Sequence, residues 1–195
     1  MLKIHTLTLG LYQTNTYIIH EENAKSCCVI DPGYQASTIL DKLEELGLTL
    51  DAILLTHGHF DHVGAVKDLS ADTNCRVFLC AEETALPPML TAGPLYYTDT
   101  YADGTILNIA GLYIRVIHTP GHTPGGVCLL VEDALFSGDT LFAGGCGRTD
   151  LGGDWATIVR SLKRLSELEG YCKVYPGHGE STTLAHEKHY NPYMR

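Results

Sequence analysis

A run of three histidines and one aspartate, Thr56-His57-Gly58-His59-Phe60-Asp61-His62, directly follows an apolar segment of the chain. That segment, Ala52-Ile53-Leu54-Leu55, is typical of a buried strand, and the glycine and polar residues after it predict a turn. Imidazole nitrogens and carboxylate oxygens are ligands of Zn²⁺-type cations, and a catalytic site keeps one coordination position open for water. Four such side chains in one turn are too many for a single open ion. The spacing therefore favours two neighbouring metal ions.

Each of these side chains also has an ordinary structural interpretation. A histidine in a turn can cap or hydrogen-bond the backbone, and the alternative for Asp61 is the N-cap of a helix that begins near Val63. The group as a whole favours metal binding, because a predicted strand precedes it and a predicted helix follows it.

Three further predicted strands end in the same way, in a glycine with a ligand-type residue beside it. The segments are His118-Thr119-Pro120-Gly121-His122, Ser137-Gly138-Asp139 and Pro176-Gly177-His178-Gly179. Glycine allows the backbone to turn tightly and to approach a bound ion without a side chain in the way. If these strands end at one edge of the molecule, their ligands meet there.

The sequence thus predicts a site with two divalent metal ions, for which Zn²⁺ is the first candidate and iron or manganese are alternatives. A turn cap remains the alternative for Asp139, and Asp31 is interpreted as an Asx turn, with support of the ligands from beneath as its alternative. The predicted ligands are His57, His59 and His122 for one ion and Asp61, His62 and His178 for the other, with Asp139 bridging.

Composition limits the classes of partner. The chain of 195 residues is 45% hydrophobic, which is typical of a soluble globular protein. Thirteen basic against 23 acidic residues give a net charge of -10 without any basic block, so nucleic acid and anionic membranes are not expected as partners. Seven cysteines without a Cys-x-x-Cys pair predict free thiols in the cytoplasm. Nothing in the sequence predicts an oligomeric state.

The hydrophobic pattern predicts an α/β protein with two similar halves, each with a sheet and covering helices. Packed sheet to sheet, the halves form a four-layer αββα sandwich, expected as a single domain over residues 1–195. The predicted strands are Leu2–Leu9, Thr16–His20, Cys27–Ile30, Asp51–Leu55, Arg76–Cys80, Thr105–Ile109, Tyr113–Ile117, Gly126–Val131, Ala134–Phe136 and Lys173–Tyr175. Helices are predicted from about Ala36, near Val63–Leu69, around Trp155–Leu168 and around Leu184–Tyr190.

The segment from Leu86 to Asp103 shows no periodicity and is interrupted by prolines and glycines. A loop of this length in a compact chain is often functional. We interpret it as a flap that carries Tyr96, Tyr97 and Tyr101 toward a substrate, with a surface loop of packed tyrosines as the alternative.

The run His57-x-His59-x-Asp61-His62, followed in order by the later ligands, resembles the metallo-β-lactamase superfamily over essentially the whole chain. Aspartate rather than cysteine at 139, together with His62, is similar to the glyoxalase II branch, the hydroxyacylglutathione hydrolases. The C-terminal residues from Pro176 to Tyr193 resemble short bacterial members of that branch. The resemblance implies the αββα fold, a two-metal site, thioester hydrolysis, and no separate C-terminal glutathione-binding helical domain.

A second resemblance concerns Gly145-Cys146-Gly147-Arg148-Thr149-Asp150, which is similar to a segment of the persulfide dioxygenases. These relatives use a single iron, which His57, His122 and Asp139 would hold here. Arg148 either pairs with a substrate carboxylate or pairs with Asp150 to fix its own loop.

The favoured activity is hydrolysis of a small-molecule thioester such as S-lactoylglutathione. A hydroxide held between two metals would attack the carbonyl carbon, Asp61 would orient it, and the thiolate would leave without a strong acid. Persulfide dioxygenation, hydrolysis of another small ester, a lactone or a phosphodiester, and a non-enzymatic metal-binding module are the alternatives.

Overall fold

A computed structural model describes residues 1–195, which form two six-stranded sheets and a small separate hairpin. The first sheet contains, in spatial order, β1 (Leu2–Leu9), β2 (Thr14–Glu21), β3 (Ser26–Ile30), β4 (Thr49–Leu54), β5 (Arg76–Cys80) and β6 (Asp99–Tyr101). Next along the chain are β7 (Ile106–Ile109), β8 (Leu112–His118), β9 (Val127–Val131), β10 (Ala134–Gly138), the hairpin of β11 (Leu141–Phe142) and β12 (Gly145–Cys146), β13 (Lys173–Pro176) and β14 (Thr182–Thr183).

The second sheet has the order β14-β13-β10-β9-β8-β7. Each sheet combines antiparallel neighbours with parallel ones, which are β3-β4-β5-β6 in the first sheet and β10-β13 in the second. The helices are α1 (Ala36–Leu46), α2 (Phe60–Val63), α3 (Val66–Thr73), α4 (Pro88–Thr91), α5 (Trp155–Ser166) and α6 (Leu184–Tyr190), with a 3-10 turn at Ala81–Ala85.

Three hydrophobic cores separate four layers. The central core lies between the two sheets and contains Phe136, which is fully buried. Neighbouring residues of one strand face opposite cores, because successive side chains of a strand point to opposite faces. In β3, Cys28 and Ile30 enter the central core, whereas Cys27 and Val29 pack toward the helices of the first half. This arrangement confirms the predicted four-layer αββα sandwich.

The covering helices bury one apolar stripe each. Helix α1 presents Ile39 and Leu43 to the first sheet and ends at Gly47, whose φ of 64° is the left-handed conformation common at helix C-termini. Helix α5 packs Ile158 and Leu162 on the second sheet. Burial of these stripes provides most of the stability of such helices.

Strand ends from both halves meet at one edge. The amide of Val127, at the start of β9, donates to the carbonyl of Thr56, just after β4, over 2.8 Å. The amide of Asn15 in β2 donates to the carbonyl of Gly177, just after β13, also over 2.8 Å. These backbone bonds join the two halves directly beside the predicted ligands.

Several local predictions need correction. The segment from Leu86 to Asp103 is not a free flap, since it contains α4 and β6, and Tyr101 is a buried core residue whose hydroxyl donates to the carbonyl of Leu55. A four-residue helix and a three-residue strand are too short to show periodicity. The helix predicted near Val63–Leu69 is divided between α2 and α3.

The seven cysteines are all free thiols, as predicted, and six of them are buried, whereas Cys146 is half-buried. No helix combines the length and the apolar character that crossing a bilayer requires.

Candidate metal centre

The loops after four strands, together with α2, bring all seven predicted ligand side chains to one edge of the sandwich. His57 and His59 follow β4, and Asp61 and His62 lie in α2. The remaining three side chains lie after β8 (His122), at the end of β10 (Asp139) and after β13 (His178). Asp61 is in the first turn of α2 and is not its N-cap, a position that His59 occupies without a side-chain hydrogen bond.

The side chains form two groups. In the first group, His57, His59 and His122, each residue offers a nitrogen within 4.8 Å of the others, and His59 Nδ1 lies 2.9 Å from His122 Nε2. The second group is Asp61, His62 and His178. Its two imidazoles approach to 3.3 Å between their Nε2 atoms, and His178 Nε2 lies 3.3 Å from Asp61 Oδ2.

The carboxylate of Asp139 lies between the two groups. Its Oδ1 is 3.4 Å from Nε2 of His62, and its Oδ2 is 3.5 Å from Nε2 of both His122 and His178. One carboxylate therefore reaches both groups, which is the geometry required of a bridging ligand.

Each imidazole uses one ring nitrogen for the protein and directs the other into the cluster. The outer nitrogens of His59, His122 and His178 face backbone carbonyl oxygens, so they carry the proton when the ring is neutral. The inner nitrogen is then a free lone pair, as metal coordination requires. The carbonyl partners belong to Leu151 for His59, Arg148 for His122 and Tyr12 for His178.

Asp31 lies beneath the cluster and supports two of its histidines, which corrects its interpretation as a simple Asx turn. The Asp31 carboxylate accepts hydrogen bonds from the amide and hydroxyl of Thr56, at 2.7 and 2.6 Å, and lies 2.9 Å from Nδ1 of His62. Because the Thr56 hydroxyl donates to Asp31, its oxygen accepts from Nδ1 of His57, 3.0 Å away. Asp31 thereby sets the ring orientation of both histidines.

The donor set fits divalent metal ions. Nε2 of His57 and Oδ1 of Asp139 are buried without any hydrogen-bond partner, and such orphaned atoms are rare in folded proteins. Nitrogens about 2.0–2.1 Å from a tetrahedral ion lie about 3.3 Å apart, close to the 2.9 and 3.3 Å between paired histidines here.

The pKa values of the histidines shift in opposite directions in the two ligand groups. Burial and the surrounding imidazoles lower the pKa of His57 far below its ordinary value, and burial with the neighbouring His122 lowers the pKa of His59 to about 4. Burial alone would also lower the pKa of His62, but the carboxylates of Asp139 and Asp31 outweigh it and raise the pKa to about 9. Burial disfavours the charge of Asp61, yet His178 and His62 lower its pKa to about 2.

Gly177 lies where no other side chain fits. A Cβ atom at this position would overlap Oδ1 of Asp139 and lie 2.7 Å from Cε1 of His62. The glycine before His178 is therefore required for the second group to close around Asp139.

A cavity of about 410 Å³ opens directly above the cluster. Half of its lining is apolar, and Tyr12, Phe60 and Phe142 provide its aromatic wall. The complete lining is Tyr12, His59, Phe60, Asp61, Leu90, His122, Asp139, Phe142, Cys146, Arg148, Leu151 and His178.

Neither Tyr96 nor Tyr97 lines this cavity, contrary to the predicted flap. The hydroxyl of Tyr96 instead lies 3.3 Å from Oγ of Ser70 on α3, because Leu86–Asp103 packs along the first sheet. Leu90 is the residue of that segment that reaches the cavity. The sequence signal that could have identified Tyr12 is the apolar pair Leu11-Tyr12 in the short connection between two predicted strands, where the structure shows both side chains exposed.

Arg148 lies at the edge of the cavity and forms a bidentate ion pair with Asp150, at 2.6 and 2.5 Å. Both side chains are exposed to solvent. The structure thus shows the loop-fixing alternative for Arg148, which still leaves the guanidinium beside the cavity.

The fold has two sheets packed between helices, and a cluster of histidines and aspartates lies where the strands end. These two features define a metal-binding protein of the αββα class. The family model of the metallo-beta-lactamase superfamily matches residues 9–178, and the chain belongs to that superfamily. It is accordingly a metallo-hydrolase of this family.

The relatives agree with this assignment. The hydroxyacylglutathione hydrolase GloC of Haemophilus influenzae is 33% identical over 209 residues, which cover 99% of this chain and 98% of that protein. The crystal structure of BLEG-1 B3 metallo-beta-lactamase superimposes with a TM-score of 0.88 at 36% identity, covering 100% of this chain and 99% of that one. The structure of TTHA1623 in a di-iron-bound form gives a TM-score of 0.85 at 36% identity, covering 97% and 99%.

Proposed function

We propose that this protein is a two-metal thioesterase of the glyoxalase II type, which hydrolyses S-lactoylglutathione or a related hydroxyacylglutathione. The observation that carries the proposal is the position of Asp139, whose carboxylate lies within 3.5 Å of imidazole nitrogens from both ligand groups beneath an open cavity. The similarity to GloC over nearly the full length of both chains supports this substrate class.

His57, His59 and His122 would hold one divalent ion and Asp61, His62 and His178 the other, with Asp139 shared; Zn²⁺ is our first candidate. Such ions, when bound, supply activated water at neutral pH and polarise a carbonyl oxygen. The di-iron form of TTHA1623 supports iron as the alternative metal.

The protein's own groups would orient the reactants. Asp61 borders the cavity, and its low pKa of about 2 keeps it ionised at neutral pH, so it can accept a hydrogen bond from the attacking water. The aromatic wall of Tyr12, Phe60 and Phe142 would contact the substrate and exclude bulk water. A thiolate is a good leaving group, so the reaction requires no strong acid on the leaving side.

The test is the loss of thioester absorbance from S-lactoylglutathione, with the metal content counted in the same preparation. We expect turnover by protein with two ions per chain, and a large loss of turnover in Asp61→Asn. The matched control is Asp68→Asn, which changes an exposed aspartate in α3. Two bound ions without turnover would overturn the glutathione thioester and direct the search to other esters, lactones or phosphodiesters.

A single iron ion per chain, with oxygen consumption in the presence of glutathione persulfide, would instead establish the dioxygenase alternative. His57, His122 and Asp139 would then be the ligands of that iron. The same metal count decides between the two activities.

A further inference from the structure

Two buried side chains outside the ligand set connect the loops of the two halves at the metal centre. We infer that Glu83 is a positioning residue for the first ligand group and that Asn15 is the positioning residue for the second. The inference rests on the two-metal assignment proposed above. It does not depend on the identity of the substrate.

Glu83 lies in the 3-10 turn after β5 and is fully buried. Its Oε2 accepts from the amide of Gly58 at 2.5 Å, and its Oε1 accepts from the amide of Gly125 at 2.6 Å. Gly58 stands between His57 and His59, and Gly125 lies in the loop of His122. One carboxylate therefore joins the loop of the first half to the loop of the second half that completes this ligand group.

Both hydrogen bonds require an acceptor, so a carboxylate is needed and an amide does not suffice. Two short, charge-assisted bonds from buried amides are strong interactions. Glutamine in the same place would turn its NH₂ group toward one of the two backbone amides. That amide would lose its partner, and the two loops would no longer be fixed relative to each other.

Asn15 makes the corresponding connection to the second group. It lies in β2 with 4% exposure, and its Nδ2 donates to the carbonyls of Pro176 and Gly179 at 3.1 and 2.9 Å. These residues flank His178 on both sides. The side-chain oxygen accepts from the hydroxyl of Thr8 at 2.9 Å, which fixes the orientation of the amide.

Aspartate at position 15 would present an oxygen to two carbonyl oxygens and would repel them. Glu83→Gln and Asn15→Asp are therefore a matched pair, since each exchanges one oxygen and one NH₂ group without changing the size of the side chain. Because the two residues contact different loops, each variant should disturb one ligand group and spare the other.

The experiment uses full-length protein loaded with zinc and labelled with ¹⁵N in its histidines. Ring-nitrogen chemical shifts distinguish metal-bound from free imidazoles, and a chelator titration gives the concentration that releases each ion. For Glu83→Gln we expect release from His57, His59 and His122 at about 10–100-fold lower chelator concentration, as for other losses of outer hydrogen bonds at metal sites. For Asn15→Asp we expect this shift at His62 and His178.

A change of global stability would act on both groups together in either variant, so a shared shift would overturn the inference, as would no shift in either. If Glu83→Gln does not fold, Glu83→Asp keeps the charge but cannot span both amides, and it should still weaken the first group selectively. Unaltered protein that binds neither zinc nor iron would overturn the metal assignment and this inference together. Unaltered protein that binds two zinc ions without hydrolysing S-lactoylglutathione would overturn only the proposed substrate.

Discussion

At the scale of single residues, Asp139 is the side chain on which the two-metal arrangement depends, because its oxygens face both ligand groups. Asp139→Ala removes the shared ligand and leaves the remaining ones in two separate groups. We expect the metal content to fall below two ions per chain and turnover to fall by at least about 100-fold. Metal counting and thioester hydrolysis in the same preparation check this.

The matched control is Asp133→Ala, which changes an exposed aspartate in the turn between β9 and β10. An Asp139→Ala protein with full activity and two ions per chain would refute the bridging role.

The raised pKa of His62 predicts that metal binding releases a proton. In the metal-free protein its pKa is raised to about 9, so the ring is protonated at pH 7.5, whereas a metal-bound imidazole must offer a free lone pair. Binding of the second ion should therefore release about one proton from His62, and the affinity should fall as the pH decreases below 9. Asp61 adds nothing near neutral pH, because its pKa is about 2. Burial opposes the charge of His178, but Asp61 and Asp139 outweigh burial and raise its pKa, so this ring adds to the proton release.

The measurement is the pH change on addition of zinc to metal-free protein in weakly buffered solution with an indicator. His62→Gln is the comparison, since it removes the titrating ring. Zinc uptake with no proton release would contradict the predicted ionisation of His62.

At the scale of elements, the β11-β12 hairpin forms part of the cavity wall and depends on α6. Asn191, which follows α6 and is fully buried, donates through Nδ2 to the carbonyl of Gly145 at 3.0 Å, and Glu187 accepts from the amide of Gly144 at 2.9 Å. Phe142 and Cys146 of this hairpin line the cavity. The C-terminal helix therefore supports the wall although it contributes no residue to the cavity lining.

Asn191→Ala should loosen this wall without disturbing the ligands. The lost hydrogen bond is worth about 1 kcal/mol, and the same loss of substrate-binding free energy raises KM roughly fivefold. Two ions should still be bound. Steady-state kinetics with metal counting test this, and Asn108→Ala on the exposed side of β7 is the control. Loss of metal in Asn191→Ala would show that α6 acts on the ligands themselves.

At the scale of the whole molecule, the two ligand groups each combine residues from both halves of the sandwich. His122 joins two histidines of the first half, and His178 joins Asp61 and His62. A bound ion consequently connects the two sheets, and a ligand that binds only the folded state raises the free energy of unfolding.

We therefore expect zinc at 100 times its dissociation constant to stabilise the fold by about 2.7 kcal/mol per ion, and EDTA to remove this stabilisation. Urea denaturation with zinc, with EDTA and with Mg²⁺ checks the prediction. Mg²⁺ is the control, because it prefers oxygen ligands and a nitrogen-rich site should bind it weakly. Equal urea midpoints with zinc and with EDTA would contradict the connection between the halves.

The amino-acid sequence by itself determined most of the longer elements and the identity of the ligand-type residues. The bounds of β1 and β5 match their predictions residue for residue, because β1 alternates apolar and polar residues and β5 is a short apolar run. The spacing of histidines and aspartates after apolar strands was likewise a local property, so the seven predicted ligands could be named before their distances were known.

Only the tertiary structure decided which distant side chains meet. The support of His62 by Asp31, the placement of Tyr12 rather than Tyr96 at the cavity, and the bonds of Glu83 and Asn15 all join segments that local periodicity cannot relate. Such contacts depend on how the two sheets pack and on where their loops end. Sequence patterns within one strand or helix carry no information about that packing, which is settled by burial of the shared core between the sheets.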